Sequence, residues 1–313
     1  MIEYIISKNN KLQKVSKVTK NCWINLNKPT LDDINKISKL LNIKKNDFTE
    51  FKENIESLKD LEEIPFLEKQ DDKYFIITRI PQKKENGKIT YSTTPLGIFI
   101  NKNYVITINY ANNDIINTFI QKNIKFDNNF ALIYRLLLLS SRRYLTYLKE
   151  IDKKIKSIEE NINKMHKNEQ IIFLLALEKS LVFFSTSLKG NEILFSRFYK
   201  LNYFTKNEDN KDILEDVIDE NKQAIQMTVI YASIIKNTLN VYSSIISNNI
   251  NQIMKVLTSI TIIIAIPTLV ASIYGMNVEL PFQHSVHAFN ITMLISLLFT
   301  LIVSIIIWKK EWL

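Results

Sequence analysis

The side chains able to do chemistry in this chain of 313 residues are few and mostly neutral. There is one cysteine, Cys22, and there are three histidines. No Ser/His/Asp or His/Glu constellation that would activate a nucleophile or a water is present. A single cysteine excludes an internal disulfide and a cysteine metal cluster. His166 stands in a polar break and reads as a solvated turn residue. His284 and His287 are three apart, a spacing open to a transition metal, but no third ligand accompanies them and they read more simply as loop residues. What recurs instead is neutral oxygen. On a helix at ~100° per residue, Asn251, Met254, Leu257, Thr261, Ala265, Thr268 and Ser272 fall within about a third of a turn. Two readings of this face stay open. Small residues let two membrane helices pack closely. Alternatively the hydroxyls face water and line a pore, with Leu257 and Met254 as an apolar constriction that gates by dewetting. Glu279, shortly beyond, is either an ordinary loop charge or a means of raising local cation concentration.

The face belongs to an uncharged run that begins at Val256, after Lys255, and reaches Val278. A second apolar run covers Ile291 to Trp308. Each is long enough to cross a ~30 Å hydrocarbon core at ~1.5 Å per residue. The link from Val278 to Asn290 contains Glu279, Pro281, His284 and His287 but neither Lys nor Arg. Lys255 precedes the first run, and Lys309 and Lys310 follow the second, so the positive-inside bias predicts cytoplasmic termini and an external link. Trp308 and Trp312 then sit at the inner interface. Pro267 is expected to kink the first span, with neighbouring groups resupplying the freed carbonyl. Upstream, Lys211 to Ile266 holds neither Gly nor Pro until the span is reached. Leu214, Val217, Ile218, Ile225, Ile235, Leu239 and Tyr242 recur at helical spacing, and Asp212, Glu215 and Asp216 suit the positive end of a helix dipole. One helix on the order of 90 Å long is predicted, leading from a soluble part into the membrane. Two spans per chain cannot enclose a channel, so an ion path requires an oligomer.

Tyr274-Gly275-Met276-Asn277 at the outer end of the first of two C-terminal spans resembles the CorA family of divalent-cation channels. Asn251-Gln-Ile-Met-Lys-Val-Leu-Thr258 and the terminal Lys309-Lys310-Glu311-Trp312-Leu313 are similar to it as well. The likeness is strongest over Asn240 to Leu313 and looser at Trp23-Ile-Asn-Leu26 and Thr94-Pro-Leu-Gly-Ile98. The resemblance implies a homopentamer whose first spans line the pore, with Tyr274, Gly275, Met276 and Asn277 as the selectivity filter. In that setting a ring of Asn277 amide oxygens can hydrogen-bond to the water shell of Mg²⁺, which dehydrates reluctantly. Gly275 would remove a side chain where backbones crowd; the plainer reading is a helix cap before a loop. The resemblance also implies regulation by cytosolic Mg²⁺ bound between soluble domains. The familiar pattern has a carboxylate just before Val-Tyr. Here Asn240 precedes Val241-Tyr242, and the facing hairpin Pro81–Tyr91 offers only Glu85 among Lys83, Lys84 and Lys88. Asn240 and Glu85 are therefore the candidate regulatory metal residues, with the acidic turns at Asp212, Glu215, Asp216 and Asp219 as an alternative.

Residues 1–125 read as a cytoplasmic α/β domain. Strands are predicted at Ile2–Ser7, Cys22–Leu26, Tyr74–Ile80, Leu96–Ile100 and Tyr104–Asn109, and Asn86-Gly87 is a turn signal. Helices are predicted after a Thr30 cap and over Lys45–Leu58. Residues 126–206 read as an antiparallel helical hairpin, Phe130–Asn163 and Glu169–Phe204, with the second run interrupted at Gly190. The remaining divisions are a stalk helix over 207–252, a pore-lining span over 253–277, an external loop over 278–290, a second span over 291–308 and a basic cytoplasmic tail over 309–313. The formal net charge is +9. Beyond residue 254 the charged residues are Lys255, Glu279, Lys309, Lys310 and Glu311, so the excess lies in the N-terminal four-fifths. There the lysines are scattered, which points to solvated faces rather than nucleic acid. No signal or transit peptide is visible at Met1–Asn10.

The expected fold is thus an α/β cytoplasmic domain, long helices and a two-helix transmembrane hairpin, with a pore formed only in the homo-oligomer. The expected function is Mg²⁺ transport across the plasma membrane without a cofactor. Mg²⁺ is the cargo and the regulatory ion, and the partners are the bilayer and further copies of the chain. A transporter of Zn²⁺, Co²⁺ or Ni²⁺ on the same scaffold is the nearest alternative. A membrane-anchored sensor or scaffold without ion flux is the alternative from another class. An enzyme is not expected.

Overall fold

A computed structural model describes the chain except for residues 1, 9–10, 20–21, 41–52, 54, 60–63, 71–72, 85–89, 102, 112–113, 161–166, 202–206, 283 and 313. It divides into two compact units, Met1–Thr238 and Leu239–Leu313.

The first unit is built on a seven-stranded sheet: β1 (Ile2–Lys8), β2 (Lys11–Val15), β3 (Cys22–Asn27), β4 (Phe66–Gln70), β5 (Lys73–Lys84), β6 (Thr90–Ile100) and β7 (Tyr104–Asn109). The spatial order is β2-β1-β3-β7-β6-β5-β4. Every neighbouring pair is antiparallel except β3 with β7. Because side chains alternate across a strand, each central strand feeds two cores. Trp23, Ile76 and Ile98 join one core with α2 (Asp114–Gln121) and α3 (Asn129–Glu160). Cys22, Ile24, Leu26, Phe75, Ile77 and Phe99 join the other, with Ile34 and Ile37 of α1 (Leu31–Leu40). Helices on both faces of the sheet make this an α/β domain. Its helix starts follow local chemistry. Thr30 Oγ1 accepts the Asp33 N–H at 3.2 Å while Asp33 Oδ2 accepts the Thr30 N–H at 3.1 Å, a reciprocal cap for α1.

Beyond the reach of β4, whose last partner is Ile77, β5 and β6 continue as a two-stranded ribbon. Here β5 would present an open edge. Asn191, on α4 (Lys167–Lys200), closes it. Its Oδ1 accepts the Arg79 N–H at 3.0 Å and its Nδ2 donates to the Arg79 carbonyl at 2.8 Å. The side-chain amide thus stands in for a peptide of a missing strand. Thr78 and Tyr144 add hydroxyl donors, to Asn191 Oδ1 at 3.0 Å and to the Arg79 carbonyl at 3.1 Å. On its other side Arg79 faces Pro95, which has no N–H to offer. The Arg79 guanidinium donates to Thr93 and Ser187. Gly190 does not interrupt α4, contrary to expectation. Its missing side chain admits the Pro65 ring, which a Cβ would meet at 2.8 Å.

α4 is long and apolar enough to cross a membrane by length and composition, as are the next two helices. Its apolar window is 39% buried, against 11% for the others, and its Ser187 and Asn191 are spent on the sheet. α4 is a core helix.

α5 runs without a break from Glu208 to Tyr274. It continues helical through Pro267. In the second unit its C-terminal part pairs with α6 (Ala288–Lys309). The predicted helix over Lys45–Leu58 and the Asn86-Gly87 turn lie largely or wholly outside the described residues.

Candidate ion-conducting hairpin

The second unit consists of two apolar helices with very little burial. At one end of the hairpin, Ser259 Oγ lies 3.5 Å from the Trp312 carbonyl. At the other, the Tyr274 hydroxyl lies 3.4 Å from the Pro281 carbonyl. The helices are therefore antiparallel, and they cover one another along a narrow line. On α5 that line is Ser259 and Val270, buried, with Ile263, Ile266 and Tyr274 half-buried. On α6 it is Ser296 and Ile307, with Thr292, Thr300, Val303 and Ser304 half-buried. The serines and threonines of α6 thus face its partner. Its other sides carry exposed Leu294, Leu297, Leu298, Leu301 and Ile305.

The face singled out in the sequence is on the far side of α5. Asn251, Met254, Leu257, Thr261, Ala265, Thr268 and Ser272 are all exposed. At ~100° per residue, Met254 to Ser272 centre roughly opposite the line that meets α6, with Asn251 at one flank. The close-packing reading therefore fails within one chain, where the small residues that pack on α6 are a different set. The threonine hydroxyls are oriented by their own helix: Thr261 Oγ1 donates to the Leu257 carbonyl at 2.8 Å and Thr268 Oγ1 to the Ile264 carbonyl at 3.2 Å. With its proton so engaged, each hydroxyl has only lone pairs left to present outward. Outward lone pairs suit the water shell of a cation, whose hydrogens point away from the ion.

Thr258 was missed by the 100° reading. It is exposed and stands in a seven-residue column with Ser244, Asn251, Ala265 and Ser272, while Asn240, Ser247, Met254, Thr261, Thr268 and Gly275 form a second. A repeat of seven keeps residues on one side of a helix that supercoils with its copies. The columns are uncharged, a signal available in the sequence.

At its C-terminal end the helix tightens: Gly275 N–H donates to the Ala271 carbonyl at 2.9 Å and Met276 N–H to the Ile273 carbonyl at 3.1 Å. The φ of Gly275 lies outside the left-handed region, and a Cβ there would meet the Ala271 carbonyl oxygen at 3.3 Å, a tight contact. The left-handed cap that usually calls for glycine is therefore absent. Met276 and Asn277 are exposed, and Tyr274 is half-buried.

The remaining candidates are not gathered. Asn240 is exposed and its carbonyl accepts the Ser244 hydroxyl at 3.0 Å; Glu85 lies outside the described residues. Glu279, His284 and His287 are exposed. Glu215 and Asp219 share a groove of about 400 Å³ with Lys200 and Lys222, and Tyr199 donates to Glu215 at 3.2 Å. Among the described residues no group of three or more His, Cys, Asp or Glu side chains could hold a metal ion.

The family model of CorA-like Mg²⁺ transporter proteins matches residues 19–310. The chain belongs to that family. Membership makes it a membrane transport protein rather than an enzyme. It is 28% identical over 302 residues to the cobalt/magnesium transport protein CorA of Methanocaldococcus jannaschii, covering 93% of this chain and 90% of that one. The complete structure of the CorA magnesium transporter from the same organism superposes with a TM-score of 0.85 at 25% identity, covering 100% of this chain and 99% of that one. The full-length CmaX protein shares the fold, with a TM-score of 0.72 at 12% identity over 97% of both chains. The CorA fold accordingly holds over the whole chain: an α/β domain, long helices and a two-helix hairpin that forms a pore only as an oligomer.

Proposed function

We propose that this chain assembles as a homopentamer in the plasma membrane and conducts Mg²⁺ passively, driven by the membrane potential. The observation that carries the reading is the exposed, uncharged face of α5. It lies opposite the α6 contact and ends at Gly275-Met276-Asn277. In a ring of copies it becomes a stack of oxygen-bearing rings, with Met254 and Leu257 as an apolar constriction. Thr261, Thr268 and Ser272 offer acceptors to a hydrated ion, and Asn277 at the mouth offers neutral amide oxygens that hold the water shell without stripping it. Gly275 keeps side-chain bulk away where five backbones converge. Lys255, Lys309 and Lys310 keep both termini in the cytoplasm. No resident cofactor takes part; Mg²⁺ is cargo, and it also regulates through Asn240 and Glu85. The name of the M. jannaschii relative favours Co²⁺ as a second cargo. The test is ion uptake into proteoliposomes with Mg²⁺, Co²⁺, Ni²⁺ and Zn²⁺ in turn. Potential-driven Mg²⁺ uptake is expected; a sealed, oligomeric protein that passes none of the four would leave only an anchor or scaffold.

A further inference from the structure

The hairpin carries a second chemistry, at the end where Ser259 meets Trp312. α6 closes there with a turn that folds the chain back. The Lys310 N–H is shared between the Ile306 and Ile307 carbonyls at 3.2 Å, and the Trp312 N–H reaches the Ile307 carbonyl at 3.3 Å. Glu311 takes the left-handed position usual in such a turn, with φ 55°. The fold-back brings the Trp312 carbonyl to Ser259, whose hydroxyl also donates to the Lys255 carbonyl at 2.8 Å. Lys309 and Lys310 are thereby placed beside the turn of α5 that carries Lys255. All three lysines and Glu311 are exposed, and none of the four forms an ion pair among the described residues. Lys309 and Lys310 answer the negative end of the α6 dipole. Lys255 does not, because it stands inside α5, far from either terminus.

Directly before the lysines, α6 presents Ile302, Ile305 and Ile306 at 44–50% exposure and Trp308 at 71%. Three ammonium groups against one carboxylate, set above an aliphatic wall with an aromatic ring at its rim, match an amphiphile with an anionic head. We propose that Lys255, Lys309 and Lys310 bind the headgroup of an anionic phospholipid of the inner leaflet, with its acyl chains along Ile302 and Ile305. Free phosphate would use the lysines and leave the apolar wall unused. The inference rests on the membrane placement of the hairpin but not on the pore, since Lys255 lies ~120° around α5 from the Met254, Thr261 and Thr268 column. At roughly fivefold per lysine, three favour an anionic over a zwitterionic lipid by on the order of 100-fold.

The experiment uses the full chain in vesicles and reads tryptophan quenching by brominated lipids. Trp308 and Trp312 report the hairpin; Trp23 is buried in the sheet and gives a constant background. For the native chain, brominated phosphatidylglycerol is expected to half-quench at a mole fraction at least about tenfold below that of brominated phosphatidylcholine. The variant Lys255→Gln/Lys309→Gln/Lys310→Gln should show equal half-quenching by both. Equal quenching in the native chain overturns the site, as does a triple variant that keeps the preference. Loss of the preference on adding inorganic phosphate overturns the assignment to lipid. Quenching by neither lipid overturns the membrane placement itself, which separates that failure from failure of the site.

Discussion

Replacing Thr268 by valine changes one property of the proposed pore and leaves its shape alone. The two side chains have the same outline, and Thr268 is exposed on the face away from α6. Its proton is already engaged by the Ile264 carbonyl at 3.2 Å. Valine therefore removes an outward acceptor and little else, since the carbonyl keeps its helical partner. In a pentamer five such acceptors are lost together. A hydrated divalent ion on the axis touches two or three at a time, and each neutral hydrogen bond nets ~0.5–1.5 kcal/mol. At a central ~1 kcal/mol each, the expected cost is about 2–3 kcal/mol, or roughly thirty- to hundredfold in Mg²⁺ flux. Thr268→Ser keeps the oxygen and should stay within about threefold, because the methyl group it loses makes none of these hydrogen bonds. The assay is Mg²⁺ uptake into proteoliposomes at matched protein content, with assembly verified by native mass spectrometry. Thr268→Val flux indistinguishable from the native chain would refute the acceptor argument and move the conducting face elsewhere on α5.

Asn191→Ala should destabilise the α/β domain. It removes both bonds to the buried Arg79 peptide, at about 2–4 kcal/mol. That corresponds to a midpoint lower by about 5–15 °C, read from the fluorescence of buried Trp23. Cys22 is buried and its thiol pKa is raised chiefly by that burial, so in intact cells an impermeant thiol reagent should modify Ser285→Cys and leave the native chain untouched. Labelling of Ser285→Cys only after lysis would put the loop inside. Asn240→Asp, which adds a negative charge to the stalk, should shift inhibition by internal Mg²⁺ to lower concentration; superimposable inhibition curves would remove Asn240 from regulation.

The hairpin was legible because a membrane demands a long absence of charge, and Val256–Val278 and Ile291–Trp308 supply it. The exposed face was legible for the same reason: in so apolar a stretch, hydroxyls and amides at helical spacing stand out. Thr258 escaped because 100° per residue drifts from a seven-residue repeat over several turns. In the first unit, the central strands could be read from their Ile, Tyr and Phe content. β2 (KLQKV) and β4 (FLEKQ) could not, because both lie at the edges of the sheet. Edge strands carry the charged residues that blunt a strand signal. Asn191 was invisible for another reason. Its partner Arg79 is 112 residues away, and an asparagine within a helical run looks the same whether it meets water or an open strand edge. Gly190 misled in the same way, since the Pro65 ring that needs its bare Cα is distant in sequence.

The central claim is that Asn277 forms the ring through which the ion enters, and one comparison tests it most directly. Mg²⁺ uptake is measured in proteoliposomes containing the native chain or Asn277→Ala, each shown by native mass spectrometry to be the same oligomer. Asn277 is exposed and has no hydrogen bond among the described residues, so its loss should leave folding and assembly intact. The account predicts uptake in the native chain and none above the empty-vesicle background in the variant. Near-native uptake by an intact Asn277→Ala oligomer would contradict it.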